Sequence, residues 1–166
     1  MIRTVMRSAA ACSAAGLALA VSPPAGAVSP PSVDASVAPP AGSVGPTVPM
    51  AQRGECVVTG LRPGTDVAAV PAATRMLNLA EAWRFSRGEG QTVAVIDTGV
   101  RPGPRLPNVT AGGDYLGAGD GLTDCDGHGT MVAGIIAGQP GTDGFSGVAP
   151  AARLISLRQT SARFAP

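Results

Sequence analysis

Lysine is absent from this chain: its basic residues, 12 in all, are arginines, set against 11 acidic residues for a formal net charge of +1. With alanine, glycine and proline so frequent, this reads as GC-rich coding bias more than a selected surface. A near-neutral balance supplies no basic patch, so neither nucleic acid nor an anionic membrane surface is expected as a partner. Long apolar runs are also missing. The one candidate, residues 9–21, is shorter than the roughly 20 residues a membrane-spanning helix needs. Histidine occurs once, at His128, and asparagine only at Asn78 and Asn108. Cysteine is scarce too, confined to Cys12, Cys56 and Cys125.

What is present begins with an address. Arg3 and Arg7 precede the apolar run, and Ala25-Gly26-Ala27 follows it with small residues flanking a cleavage point. That order of charge, apolar run and small residues predicts a signal peptide over residues 1–27 and export to the cell envelope or beyond. Cys12 lies within that segment and ahead of most of the run, which is the wrong place for a lipid attachment. Export leaves Cys56 and Cys125. An even pair in an oxidising compartment predicts one disulfide rather than a metal site or redox motif, two free thiols being the plainer alternative.

Residues 28–52 form a leader rich in proline and alanine, with Asp34 as its single charge. No helical or strand period runs through it, so it reads as extended and poorly packed. An N-terminal extension follows over 53–87. It holds a short apolar step, Cys56-Val57-Val58, and a helix expected over 72–85 with Leu77, Ala80 and Trp83 on one face. From residue 88 to 166 the pattern changes. Thr92-Val93-Ala94-Val95-Ile96 reads as a strand buried on both faces, and residues 101–123 as a long Gly/Pro-rich loop. Residues 130–137 read as a short buried helix entered through Gly127-His128-Gly129, its Ala133, Gly134 and Ala137 small enough for close packing. Residues 153–157 form a second strand. Strand, loop, helix, strand predicts an α/β fold with a parallel sheet.

Asp97 closes the first strand, at the end where open α/β sheets place their working residues. Alone it is ambiguous, since acids at that position also bind ribose or metals or serve structure. His128, framed by two glycines at the start of a helix, can project its imidazole. A helix N-terminus disfavours an imidazolium by about 0.3–1 kcal/mol. A carboxylate on the other ring nitrogen would reverse that and fix the tautomer of a general base. Asp97 is the candidate for that partner.

The run Val93-Ala94-Val95-Ile96-Asp97-Thr98-Gly99-Val100, followed by Asp126-Gly127-His128-Gly129-Thr130 with Val132-Ala133-Gly134, resembles the aspartate and histidine motifs of the subtilase family of serine proteases. Gly147-Val148-Ala149-Pro150, with Ala152 and Leu154, matches that family's next block. The resemblance implies a subtilisin-like α/β fold and a serine endopeptidase with an Asp-His-Ser triad, in which Asp97 and His128 are the first two members. It implies no cofactor and no metal. Cys125 directly before Asp126-Gly127-His128, the earlier Cys56, and Ser146-Gly147-Val148-Ala149-Pro150 leading to Leu157-Arg158-Gln159 resemble the mycosins, the subtilases of type VII secretion. That narrower resemblance implies a protein or peptide substrate, a type VII secretion membrane complex as partner, and a C-terminal membrane anchor in the full-length protein.

A subtilase needs its serine in a Gly-Thr-Ser-x-Ala-x-Pro setting. Thr160-Ser161 is a false lead, because Gln159 replaces the glycine, Arg163 replaces the alanine and the proline comes a residue late. The oxyanion asparagine is missing as well, since Asn78 and Asn108 precede His128. The chain is therefore expected to be an N-terminal piece, inactive alone. Three rivals remain. An aspartic protease carrying Asp97-Thr98-Gly99 would need an all-β chain. A calcium module would draw on Asp114, Asp120, Asp124 and Asp126, whose spacing fails the EF-hand pattern and better fits a solvated acidic loop. A non-catalytic envelope scaffold would keep the protease frame without the serine.

Overall fold

The computed structural model describes residues 34–37 and 42–166. The signal peptide expected over 1–27 and much of the leader lie outside the described residues. The chain divides into two compact units, Met1–Ala41 and Gly42–Pro166. Within the first, Ala35–Val37 make one 3-10 turn, started by Asp34 accepting bonds from the Ser36 N–H and hydroxyl.

The second unit runs, in order, β1 (Ala51–Gln52), α1 (Ala72–Met76), α2 (Leu79–Ala82), β2 (Thr92–Asp97), β3 (Val109–Asp114), α3 (His128–Ala137), β4 (Arg153–Arg158) and β5 (Phe164–Ala165). β2, β4 and β3 form a parallel sheet in that spatial order. The parallel α/β architecture agrees with the sequence. β2 and β4 pair from Thr92 with Arg153 to Asp97 with Arg158, so the ends of both strands lie side by side.

One face of the sheet is covered by α3. Val95, Val100, Leu106, Ala133, Ala137 and Leu154 form the buried core there. Because strand side chains alternate between faces, the other face of β2 carries Ala94 and Ile96. Ile96 is 64% exposed. The expectation of a strand buried on both faces is thus corrected: no helix among the described residues packs on the second face. α3 also packs differently from its expectation. Ala133 and Ala137 are buried, but a Cβ at Gly134 would meet nothing within 4 Å. Gly129 is the glycine that packs closely.

The segment read as a loop over 101–123 contains β3, which the sequence does not announce. Its residues, Val-Thr-Ala-Gly-Gly-Asp, lack an apolar alternation, and the register shifts between Ala111 and Gly113. Position explains the composition. A Cβ at Gly112 would lie 2.6 Å from Ile155 Cγ2 and 2.7 Å from the Ser156 carbonyl oxygen, so side chain and backbone of β4 occupy the space a larger residue would need.

The helix expected over 72–85 is broken. Asn78 adopts a left-handed conformation at φ 46°, ψ 52°, which divides it into α1 and α2 and shifts the phase of the apolar face. Leu79 is buried and Trp83 half-buried, while Leu77 and Ala80 are exposed. Trp83 anchors the turn by donating its Nε1–H to the Val148 carbonyl at 2.8 Å. The leader, expected to stay unpaired to residue 52, ends in a short strand instead. Ala51 and Gln52 pair antiparallel with Ala165 and Phe164, and the Arg53 N–H donates to the Arg163 carbonyl at 2.7 Å.

Candidate active site

Asp97 is the last residue of β2 and His128 the first of α3. The fold brings these two sequence-predicted residues together, with His128 Nδ1 2.7 Å from Asp97 Oδ1. The same oxygen accepts the Thr98 N–H at 2.7 Å. The Asp97 side chain is 16% exposed and that of His128 64%, so the acid is shielded and the imidazole presented.

Backbone contact makes this approach possible. A Cβ at Gly129 would sit 2.1 Å from the Gly99 carbonyl oxygen, and one at Gly99, whose φ is +98°, would sit 2.0 Å from the Thr123 carbonyl oxygen. The glycine of Asp97-Thr98-Gly99 and that of His128-Gly129 thus let two chain segments touch where no side chain fits. α3 is entered through Gly127 at φ 77°, a left-handed conformation. The residues after β4 close the other side, with the N–H groups of Gln159 and Thr160 donating to the Asp97 carbonyl at 2.8 and 3.3 Å.

The electrostatics follow from the contact. Burial raises the Asp97 pKa, but hydrogen bonds from His128 and the Thr98 N–H and the nearby imidazolium charge outweigh it, leaving Asp97 below its ordinary 3.8. His128 is raised above its ordinary 6.5, first by the hydrogen bond to Asp97 and then by its charge. Desolvation opposes this, and Asp124 and Asp126 add smaller pulls in the same direction as Asp97. The raised histidine contributes stability that is complete below pH 6.5 and lost as pH rises through its folded pKa. The lowered acid contributes stability that is complete above pH 3.8 and lost as pH falls through its folded pKa. With one histidine in the chain, a proton NMR titration reads this pair directly. Its midpoint is expected above 6.5; a midpoint at or below that value would show that the pair does not form in solution.

Cys56 and Cys125 are joined by a disulfide. The Val57 N–H donates to the Cys125 carbonyl at 2.8 Å, and Thr59 lies against Gly127. The short apolar step, Cys56-Val57-Val58, is therefore an arm beside the histidine loop.

Of the four acidic residues read as a solvated loop or a calcium module, Asp120 is exposed, Asp126 is half-buried, and the other two are not solvated. Asp114 and Asp124 are buried. Asp114 pairs with Arg158 at 3.0 Å, Asp120 accepts the Leu122 N–H, Asp126 takes the Ser161 hydroxyl and the Ala162 N–H, and Asp124 bonds around the start of α3. Among the described residues no group of acids, cysteines and histidine is arranged to hold a metal ion. Ser161 is engaged with Asp126, 35 residues earlier, not with His128. Asp124 and Thr98 were missed as parts of this site. An acid just ahead of a helix start was the available signal, the usual composition of a helix N-terminus.

Comparison with known proteins agrees with this geometry. Residues 88–164 match the family model Peptidase_S8, the subtilase family. Over 164 residues the chain is 62% identical to Mycosin-3 of Mycobacterium tuberculosis, covering 98% of this chain and 36% of that protein. The solved structure of the MycP3 protease from the type VII (ESX-3) secretion system superposes with a TM-score of 0.75 at 70% identity, over 84% of this chain and 38% of that one. A chain in the periplasmic assembly from the ESX-5 inner membrane complex superposes with a TM-score of 0.73 at 48% identity, over 83% of this chain and 38% of that one. The chain thus spans little more than a third of the length of these proteins. With both motifs, their backbone contact and these matches in agreement, the chain belongs to the subtilase family and, within it, resembles the mycosins.

Proposed function

We propose that this chain supplies the acid and the base of a serine-type endopeptidase of the cell envelope that works with a type VII secretion membrane complex. Asp97 orients His128 and stabilises its imidazolium; Nε2 of His128 takes the proton of the attacking serine. The observation that carries the reading is the 2.7 Å contact between Asp97 Oδ1 and His128 Nδ1 within the region that matches the subtilases. The exposed imidazole leaves its second nitrogen open toward a nucleophile. An aspartic protease would instead need a second carboxylate facing Asp97, and the partner is a histidine on a parallel α/β frame. Export is supported by the charge and apolar order of residues 1–27, and the envelope setting by the mycosin likeness.

In this reading none of the serines in these 166 residues is the nucleophile. Ser161 spends its hydroxyl on Asp126, and among the described residues the side chain of His128 bonds only Asp97. A fluorophosphonate probe, which reacts with an activated serine, separates the possibilities. It is expected to label the protein at the full length of its relatives, in a manner that depends on His128, and to leave the 166-residue chain unlabelled. Labelling of the short chain at Ser161 would overturn the assignment. A full-length protein that resists the probe would favour a scaffold that keeps a protease frame.

A further inference from the structure

His128 does not hold its place through Asp97 alone. The first turn of a helix leaves backbone N–H groups without partners inside the helix. At the start of α3 those of Gly127, Gly129 and Thr130 are met by two side chains from outside the helix. Asp124 Oδ1 accepts the Gly127 N–H at 2.8 Å, and its Oδ2 accepts the Thr130 N–H at 2.8 Å and the Thr130 hydroxyl at 2.6 Å. Thr98 Oγ1 accepts the Gly129 N–H at 2.9 Å and donates to Asp124 Oδ1 at 2.8 Å. The Thr130 hydroxyl accepts the Arg101 N–H at 3.0 Å. Asp124 is 5% exposed and Thr98 7%. At such depth a carboxylate is tolerated only when donors meet its oxygens, and here the bonds join the exit of β2, the histidine loop and the start of α3 to one another.

We propose that Asp124 is a positioning residue, whose carboxylate clasps the exit of β2 to the first turn of α3 and thereby sets the Asp97–His128 pair. The immediate neighbour of the acid, Thr98, and both neighbours of the base, Gly127 and Gly129, are bound to Asp124 or through Thr98 to it. The groups that bear on the imidazole charge are Asp97, Asp124 and Asp126. Asp126 turns its oxygens to Ser161 and Ala162, so it tethers the segment after β4 and not the helix. Loosening the clasp lets the imidazole drift from Asp97 and lose the preference for a proton on Nδ1.

This inference rests on Asp97 and His128 being the working pair, but its experiment needs no proteolysis, so the two readings fail separately. The full chain labelled with nitrogen-15 carries one imidazole, and its ring nitrogen shifts report tautomer and titration without assignment. The neutral ring of the unmodified chain is expected in the Nδ1–H form. Asp124→Asn keeps the shape but replaces an acceptor oxygen with a donor. It is expected to move part of the neutral population to the Nε2–H form and to lower the titration midpoint. Asp143→Asn breaks the ion pair with Arg105, beyond the far end of α3, and is expected to leave the ring signals unmoved. Thr130→Val removes only the hydroxyl from the clasp, with a smaller change in the same sense, and decides the matter if Asp124→Asn does not fold. A folded Asp124→Asn chain with the original tautomer and midpoint overturns the proposal. The same displacement in Asp143→Asn does so too, as does an unmoved ring in Thr130→Val where that is the folded variant.

Discussion

At the full length of its mycosin relatives, the protein carrying Asp97→Asn is expected to lose on the order of 10⁴ in turnover while keeping its fold. Asparagine matches aspartate in shape, so packing at the end of β2 is preserved. Two effects act on the imidazole. The negative charge that raises His128 disappears, so the imidazolium formed when the ring takes the serine proton loses its counter-charge. The amide NH₂ can also donate to Nδ1, which puts the ring proton on Nε2, the nitrogen that must accept. Thr98 works against that second effect, because its N–H holds an acceptor oxygen at the Oδ1 position. The contributions are separable: ring nitrogen shifts report the tautomer, and the pH–rate profile reports the fallen histidine pKa. Turnover close to that of the unmodified protein would remove Asp97 from the catalytic role.

Cys56→Ser is expected to produce a large loss of stability. The bridge to Cys125 closes a loop of sequence separation 69, for which chain entropy alone gives roughly 4 kcal/mol as an upper guide. The effect should also be local. Cys125 lies between Asp124, which binds the first turn of α3, and Asp126, which binds Ser161 and Ala162. Releasing the arm removes the support of Thr59 against Gly127 and frees the Val57 to Cys125 backbone bond. Leu154, fully buried in the middle strand, has no such dependence. Hydrogen exchange is therefore expected to rise at residues 125–130 more than at 153–157, together with a lower unfolding midpoint. Uniform change across both segments would contradict a local anchor. Alkylation of both cysteines in the exported protein would show that no bridge forms there.

Much of this molecule was legible in its sequence. The β-branched run ending in Asp97, the Gly-His-Gly frame and the second apolar strand each follow from local chemistry: strands buried beneath a helix need apolar residues, and a projecting histidine needs small neighbours. Those signals placed β2, α3 and β4 and nominated Asp97 and His128, 31 residues apart, as partners. The failures share a cause. Asn78 breaks a stretch whose apolar spacing reads as one helix, because Leu79 and Trp83 find burial and a hydrogen-bond partner only after the turn rotates them. β3 is hidden because its glycines answer to neighbours distant in sequence, Gly112 to β4 and Gly113 to Val44, and not to its own alternation.

Sequence alone pointed to the family, to the succession of β2, α3 and β4, and to Asp97 and His128 as candidates for the acid and the base, because these depend on residue types within short windows. Tertiary structure decided what each buried charge does. Asp124 and Asp126, two residues apart and alike on the page, bind different elements: one clasps the start of α3 and the other holds the segment after β4. Their difference arises from which donors the folded chain brings near, a matter of contacts 35 and more residues apart in one case and of a helix terminus in the other. A carboxylate takes its role from the donors around it, and those donors are assembled only when the chain has folded.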